Sequence, residues 1–313
     1  MNYEDYKMVK SELKVADLSL RLANLRVREK LALGAEIDGQ LVNITRAGNA
    51  LSLPAPADVD DLIQNGRAAE VRAIVDQLIA RGDAKSFAEP GSNFAPLVTR
   101  PQKIICVGFN YRAHAAETGT EIPKAPPLFS KFVNALNNHE GVVELPTAVD
   151  REFDYETELV VVFGQKCKNV SKEDALSVVA GYTVGNDLSA RGLQNITSQF
   201  MAGKMSDGFA PLGPWLVTRD LVPDPNNLHL QTRMNGEVRQ DSNTSEMIFN
   251  CKEIISYVAS IMTIEAGDIL FTGTPPGVIW GQKVPRNERQ WLKAGDRVVS
   301  SIEGLGELVV DFR

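Results

Sequence analysis

The segment Phe153-Asp154-Tyr155-Glu156-Thr157-Glu158 sets three carboxylates two residues apart, immediately ahead of Leu159 and three valines. Side chains alternate between the faces of an extended strand, so Asp154, Glu156 and Glu158 are expected on one face while the apolar run enters a core. Carboxylates gathered there repel one another unless a cation neutralises them, and Mg2+ or Mn2+ takes oxygen ligands of this kind. A solvated acidic strand edge has the same pattern, so this segment alone leaves both readings open. A further acid, Asp187, follows the strand-like run Gly181 to Gly185. It falls at a strand end, where loops build sites, or else it closes an Asx turn with Asn186.

A second kind of chemistry is written in Gly108-Phe109-Asn110-Tyr111-Arg112-Ala113-His114-Ala115-Ala116-Glu117-Thr118-Gly119. His114 and Glu117 are three apart and share a face if the segment is helical. A carboxylate beside an imidazole orients it and raises its basicity, which suits a base that takes a proton from water. An exposed helical pair would read the same way. Gly108 and Gly119 bracket the segment as hinges of a lid would. Lys204, in the Gly- and Pro-rich stretch Gly203 to Trp215, offers positive charge to an oxyanion or carboxylate, or is a surface lysine. Phe271-Thr272-Gly273-Thr274-Pro275-Pro276-Gly277-Val278 offers backbone N–H groups and hydroxyls as an anion nest or a tight turn, and it lacks the GK[ST] of a P-loop.

These residues need elements to hold them. Residues 18 to 44 read as strands, with Leu18, Leu20 and Leu22 alternating and Asp38-Gly39 as a hairpin turn. Leu62, Val71, Ile74, Val75, Leu78 and Ile79 predict a helical face between Asp61 and Arg81. The loose stretch Gly82 to Pro101, with Pro90-Gly91, Pro96 and Pro101, marks a boundary between a small amino-terminal α+β domain, 1–100, and the rest, 101–313. From Lys103 strand signals dominate: KIICVGFN, ELVVVFG, GYTVGND, GPWLVT, DILFTGT, DRVVSSIE and GELVVDF. Two helices interrupt this β-rich body. Ser171 and Asp174 resemble a capping box ahead of Ala175 to Ala180, and Cys251 to Ile261 carries Ile254, Ile255, Val258 and Ile261 on one face.

The chain has 313 residues and a formal net charge of -7, with 33 Lys plus Arg against 40 Asp plus Glu. Phosphate neutralisation needs a basic surface, so a general nucleic-acid binder is excluded. Three histidines and three widely spaced cysteines, Cys106, Cys167 and Cys251, exclude a thiolate- or histidine-rich zinc site, and the cysteines read as packing. No stretch holds eighteen uncharged apolar residues and the start lacks a secretory pattern, so no membrane partner is expected and the cytoplasm is the expected compartment.

In order along the chain, GFNYRAHAAE, PLFSK, DYETELVVVFG, GYTVGNDLSARGLQ, GKMSDGFAPLGPW, MNGEVRQ, GDILFTGTPPGV and LKAGDRVVSSIEGLGEL together resemble the fumarylacetoacetate hydrolase family over about residues 100 to 313. The resemblance implies that family's α+β, β-rich fold, a mixed β-sandwich roll, with a smaller amino-terminal α+β domain, and a homodimer. It implies Glu156, Glu158 and Asp187 as ligands of one Mg2+ or Mn2+, His114 and Glu117 as the dyad, and Lys204 as the active-site lysine. Lys131, Arg191, Gln194 and Thr274 match substrate-side positions. Two positions depart from the pattern near the substrate: Phe132 replaces the proline after Lys131, and Gly192 stands where an acidic residue is usual.

The implied reaction is hydrolysis of a C–C bond in an anionic 2,4-diketo acid, an acylpyruvate or a diketo-deoxy sugar acid. The cation polarises the keto group and stabilises the pyruvate enolate that leaves. His114, oriented by Glu117, activates the attacking water and Lys204 meets the oxyanion. Decarboxylation of oxaloacetate and isomerisation of an unsaturated keto acid use the same constellation. A catalytically silent metal-binding member of the family would have no need of the dyad. Contacts to the distal part of the substrate are expected from the lid, from Leu136 to Glu144 and from Trp280 to Trp291.

Overall fold

A computed structural model describes residues 13–89 and 93–313. The start of the chain and the Pro90-Gly91 breaker lie outside the described residues. Strands β1 (Arg21–Val27), β2 (Lys30–Ile37) and β3 (Gln40–Asn43) form an antiparallel meander. Asp38 and Gly39 turn it with φ of 49° and 72°, as the Asp-Gly pair predicts. The strand reading ends one residue early, because the Asn43 side chain accepts the Arg46 N–H at 2.9 Å and starts helix α1 (Ile44–Ala50).

The helix expected between Asp61 and Arg81 is two helices, α2 (Val59–Gln64) and α3 (Ala68–Arg81), interrupted at Asn65-Gly66. Leu62, Val71, Ile74, Val75 and Leu78 are buried as expected, whereas Ile79 is exposed.

All seven strand signals of the body become strands. The dyad segment is helix α4 (Arg112–Thr118), between β4 (Ile104–Val107) and β5 (Leu128–Lys131). Short strands β6 (Leu136–Asn137), β7 (Gly141–Val143) and β8 (Phe153–Asp154) lead to β9 (Thr157–Phe163) and β10 (Val179–Asn186). After β11 (Ser189–Ala190) comes a single turn, α5 (Arg191–Gln194), then β12 (Ala210–Pro211) and β13 (Leu216–Thr218). A hairpin, β14 (His229–Met234) and β15 (Glu237–Asn243), precedes helix α6 (Cys251–Ile261). The chain closes with β16 (Ile269–Phe271), β17 (Arg297–Ile302) and β18 (Gly306–Phe312).

Two sheets carry the body. The nine-stranded one runs β3-β2-β1-β13-β10-β9-β16-β4-β5 and is antiparallel except at β16–β4. The five-stranded one runs β15-β14-β17-β18-β7, with only β18–β7 parallel. Across residue 100 the large sheet is continuous, since β1 pairs with β13 at Arg21↔Val217 and Leu22↔Leu216.

Strand β9 explains why its sequence is apolar without alternation. Leu159, Val161 and Phe163 enter a core shared with Leu230, Val298, Leu308 and α6. Val160 and Val162 enter a second core with Leu22, Leu33, Ile74 and Leu78. Each such buried side chain contributes about 1.5–3 kcal/mol, so both faces fix the strand that leads out of the acidic segment.

The expected helix Ala175 to Ala180 is only a 3-10 turn over Ala175–Val178. The Ser171 hydroxyl does accept the Asp174 N–H at 3.1 Å, yet Val179 pairs with Phe163 and the chain joins the sheet. Helix α6 forms as expected behind an Asn250/Glu253 capping box, but Ile261 is exposed. The three cysteines are buried and free. Among the described residues no helix is long and apolar enough to cross a membrane.

Candidate functional site

The acidic segment does not run as one strand. It breaks between β8 and β9, and the break is stitched to the end of β10: Asn186 Oδ1 accepts the Glu156 N–H at 2.9 Å and the Glu156 carbonyl accepts the Asp187 N–H at 2.8 Å. Glu158 lies opposite Gly185. Glu156, Glu158 and Asp187 are thereby buried together, with one oxygen of each within 4.8 Å of the others. Asp154 leaves the face it was expected to share. Its carboxylate accepts the N–H groups of Ile279 at 2.8 Å and Trp280 at 2.9 Å and the Nε–H of Arg191 at 2.9 Å.

Cations surround the carboxylates. Lys204 Nζ donates to Glu156 Oε2 at 2.7 Å and Asp187 Oδ2 at 2.8 Å, which leaves it one N–H. Arg191 donates to Glu156 Oε1 at 2.6 Å and Gln194 Oε1 at 2.9 Å, and its guanidinium lies over the Trp280 ring. Lys131 Nζ is 2.6 Å from Asp187 Oδ1. Its three protons, however, go to the carbonyls of Leu188, Lys204 and Phe209 at 2.7–3.0 Å. Asp187 Oδ1 therefore meets the ammonium chiefly as a charge, off the line of a regular hydrogen bond.

Burial alone would raise the Glu156 carboxyl, but Lys204, Arg191 and His114 outweigh it and hold Glu156 well below the ordinary carboxylate value. At Glu158 the balance reverses, and Lys204 opposes the rise only weakly. Burial first, then the charges of Asp187 and Glu156, push it well above its ordinary value against one N–H from Gly273 at 2.6 Å. Burial also disfavours the Lys204 ammonium, yet Asp187 and Glu156 win and raise it.

Three converging carboxylates, one of them pushed up by burial and by the charges of the other two, are a donor set suited to a hard divalent cation. All the donors are oxygens, which fits Mg2+ or Mn2+.

These groups face a narrow, partly open pocket with about 20 Å3 of room for water. His114, Glu156, Glu158, Arg191, Gln194, Lys204 and Thr274 line it, and Phe109, Phe129, Phe200 and Trp280 wall it. That is room for one water-sized occupant. His114 sits on α4 with Nδ1 2.9 Å from Glu117 Oε1. Phe109, whose φ of 49° is rare for a bulky residue, stacks on the imidazole with ring centroids 6.1 Å apart. The Thr274 hydroxyl donates to the Thr157 carbonyl at 3.0 Å and accepts from Gln240 Nε2 at 2.8 Å.

Several expected contacts lie elsewhere. Lys131 is buried behind the carboxylates with its protons committed, so it holds Asp187 and two loops rather than a substrate. Phe132 is exposed and Leu136 to Glu144 does not line the cavity. At Gly192 an acid is present after all, supplied from Asp150, whose carboxylate packs on the glycine and accepts the Leu193 N–H at 2.8 Å. Sequence reasoning missed Asp154, Phe109, Phe129, Phe200 and Gln240 as parts of the site. Asp154, Gln240, Phe109 and Phe129 stood in quoted motifs, whereas no local signal marks Phe200.

A family model described as "Fumarylacetoacetate (FAA) hydrolase C-terminal" matches residues 103–313. The chain is 44% identical over 217 residues to "Oxaloacetate tautomerase Fahd2a, mitochondrial" of Rattus norvegicus, covering 69% of this chain and 68% of that protein. Its fold is similar to that of a fumarylacetoacetate hydrolase from Exiguobacterium antarcticum, with a TM-score of 0.79, 30% identity, and 94% of this chain and 99% of that one covered. It is also similar to a maleylpyruvate hydrolase from Sphingobium sp. SYK-6 in complex with manganese(II) and pyruvate, with a TM-score of 0.71, 27% identity, and 93% and 98% covered.

Proposed function

The chain belongs to the fumarylacetoacetate hydrolase family, and from that membership we propose that it is a divalent-cation-dependent enzyme that interconverts the enol and keto forms of a short 2-keto diacid of the oxaloacetate type. The observation that carries this reading is the cavity of about 20 Å3 walled by four aromatic rings. A four-carbon diacid needs the rings to part least. An acylpyruvate with a long tail needs more, together with space for a hydrolytic water. The rat relative's name, oxaloacetate tautomerase, supports the same choice.

Four buried carboxylates, Asp154, Glu156, Glu158 and Asp187, stand against three buried cations, Lys131, Arg191 and Lys204. Held by Glu156, Glu158 and Asp187, Mg2+ or Mn2+ would supply Lewis acidity that polarises the 2-keto oxygen and would tip this balance positive, as an anionic substrate requires. His114 has Nδ1 engaged by Glu117, which leaves Nε2 as the nitrogen that can exchange a proton in the cavity. In the keto-to-enol direction it accepts a proton from the carbon between the keto group and the distal carboxylate. The remaining N–H of Lys204 hydrogen-bonds the oxygen on which charge develops.

A second reading, C–C hydrolysis of a 2,4-diketo acid, is favoured by the dyad, which suits activation of a water, and by the likeness to maleylpyruvate hydrolase. One assay separates them. Enol oxaloacetate is supplied with Mg2+ or Mn2+, and the keto form is read by a coupled dehydrogenase. Acceleration that EDTA abolishes is the expected result. Pyruvate release would point to decarboxylation, and loss of an acylpyruvate chromophore without effect on oxaloacetate would overturn the tautomerase reading in favour of hydrolysis.

A further inference from the structure

Glu117, the acid that orients His114, is held by a segment 160 residues further along the chain. The Gly277 N–H donates to both Glu117 carboxylate oxygens at 3.1 Å. Lys283 Nζ donates to the Glu117 carbonyl at 2.7 Å. Between them Gly281 lies flat against the carboxylate, where a Cβ would stand closer than 3.0 Å to Cδ and both oxygens. Gly277 has φ of 103°, and a Cβ there would collide with the Arg239 carbonyl. At Gly277 the obstacle to a side chain is backbone, whereas at Gly281 it is the Glu117 carboxylate itself, which would have to move aside.

The segment is also tied to the acidic strand. The Tyr155 hydroxyl donates to the Gly277 carbonyl at 3.1 Å, and Asp154 accepts the N–H groups of Ile279 and Trp280. The acid–base helix α4 and the carboxylate cluster are therefore linked through this one loop.

We propose that Gly281 is a positioning residue for Glu117: its missing side chain lets the loop close on the carboxylate, and the closed loop fixes the dyad relative to the cavity. This rests on the reading of His114 as the base. It concerns the proton-transfer step, so it separates kcat from KM and leaves cation binding alone.

The test is a double-mutant cycle on the full chain loaded with Mn2+, read by the oxaloacetate enol–keto assay, with Mn2+ affinity measured calorimetrically. Gly281→Ala is expected to lower kcat about 100-fold, the cost of a displacement on the order of 1 Å, with KM and Mn2+ affinity unchanged. Glu117→Ala is expected to lose about 100-fold as well. The double variant is expected to match Glu117→Ala, because the added methyl then fills the space the carboxylate left. Additive losses, or Gly281→Ala with the kcat of the parent protein, would overturn the proposal. If Gly281→Ala does not fold, Tyr155→Phe decides. It removes only the hydroxyl on Gly277 and is expected to lower kcat about fivefold, with no effect in the Glu117→Ala background; an equal loss in both backgrounds overturns the idea. Full activity in His114→Ala would instead sink the parent reading and this one with it, whereas an inactive His114→Ala beside a normal Gly281→Ala sinks this one alone.

Discussion

Lys131 Nζ lies 2.6 Å from Asp187 Oδ1 and at the same time donates to the carbonyls of Leu188, Lys204 and Phe209. The ammonium also ties together two loops, through the Leu188 carbonyl in one and those of Lys204 and Phe209 in the other, so one cation serves a carboxylate and three main-chain acceptors. Removing Lys131 would strand a buried carboxylate and three buried acceptors at once. Lys131→Met is expected to destabilise the fold by about 3–5 kcal/mol, seen as a lower midpoint in urea unfolding, with the effect present before any substrate is added. A variant of unchanged midpoint would mean that the lysine has a different role.

Glu158 makes cation binding pH-dependent. Its carboxyl is raised by burial and by Asp187 and Glu156, so the cation-free protein holds a proton there above the pH at which a free glutamate has lost it. A cation must displace that proton. Binding of Mn2+ is therefore expected to release a proton and to tighten as pH rises, levelling off above the raised value; calorimetry in two buffers of different ionisation enthalpy measures both. The sign for stability is opposite in the cation-free chain. There the unfolded state binds fewer protons than the folded one, so stability falls as pH climbs from the free-glutamate range through the raised value. Glu158→Gln should abolish the proton release and weaken Mn2+ by more than the about 10–100-fold typical of an outer-shell partner.

Lys204 serves two needs that can be pulled apart. In the cation-free protein it is the shared ammonium of Glu156 and Asp187. Lys204→Ala is expected to lower the melting temperature without added cation, and Mn2+ should recover most of that loss. The rate should stay depressed by about 100–1,000-fold with Mn2+ present, the usual cost of losing a donor to a developing oxyanion. Recovery of both stability and rate would confine the lysine to charge balance.

Phe200 is an adjustable part of the cavity wall. It packs edge-on against Phe109 and Phe129 with centroids 5.7 and 5.9 Å away. Phe200→Ala should admit longer 2-keto acids, raising kcat/KM for an acylpyruvate relative to oxaloacetate by about tenfold. Competition assays with the two substrates would read the ratio directly.

The groups legible from sequence are those whose spacing is itself the chemistry. His114 and Glu117 meet because three residues make most of a helical turn, and Glu156 and Glu158 stay together because they flank a strand start. The break at Tyr155 was not legible, since what turns Asp154 away is a pair of N–H groups 125 and 126 residues distant. Lys131 escaped for the same reason: its partners lie 57 to 78 residues off. In the fold, apolar runs located the strands, but the capping signature at Ser171 overstated a helix because Val179 is taken by Phe163 across the sheet. The β14–β15 hairpin passed unread although Asn235-Gly236 marks its turn, because its outer face is polar at Gln231, Arg233 and Asp241.

The hold of Gly277 on Glu117 also sets an order of events during synthesis. A ribosome adding about 5–20 residues per second makes Glu117 roughly 10 to 30 s before Gly277 leaves it. The first strand waits longer still, since β1 joins the body only when Val217 arrives to pair with Arg21. Through that interval the edge of β1 lacks β13, although the core that Leu22 shares with Leu33, Ile74 and Leu78 lies wholly in the part already made. The site is therefore among the last parts of the nascent chain to be completed, since Glu117 is fixed only once Gly277 has been made.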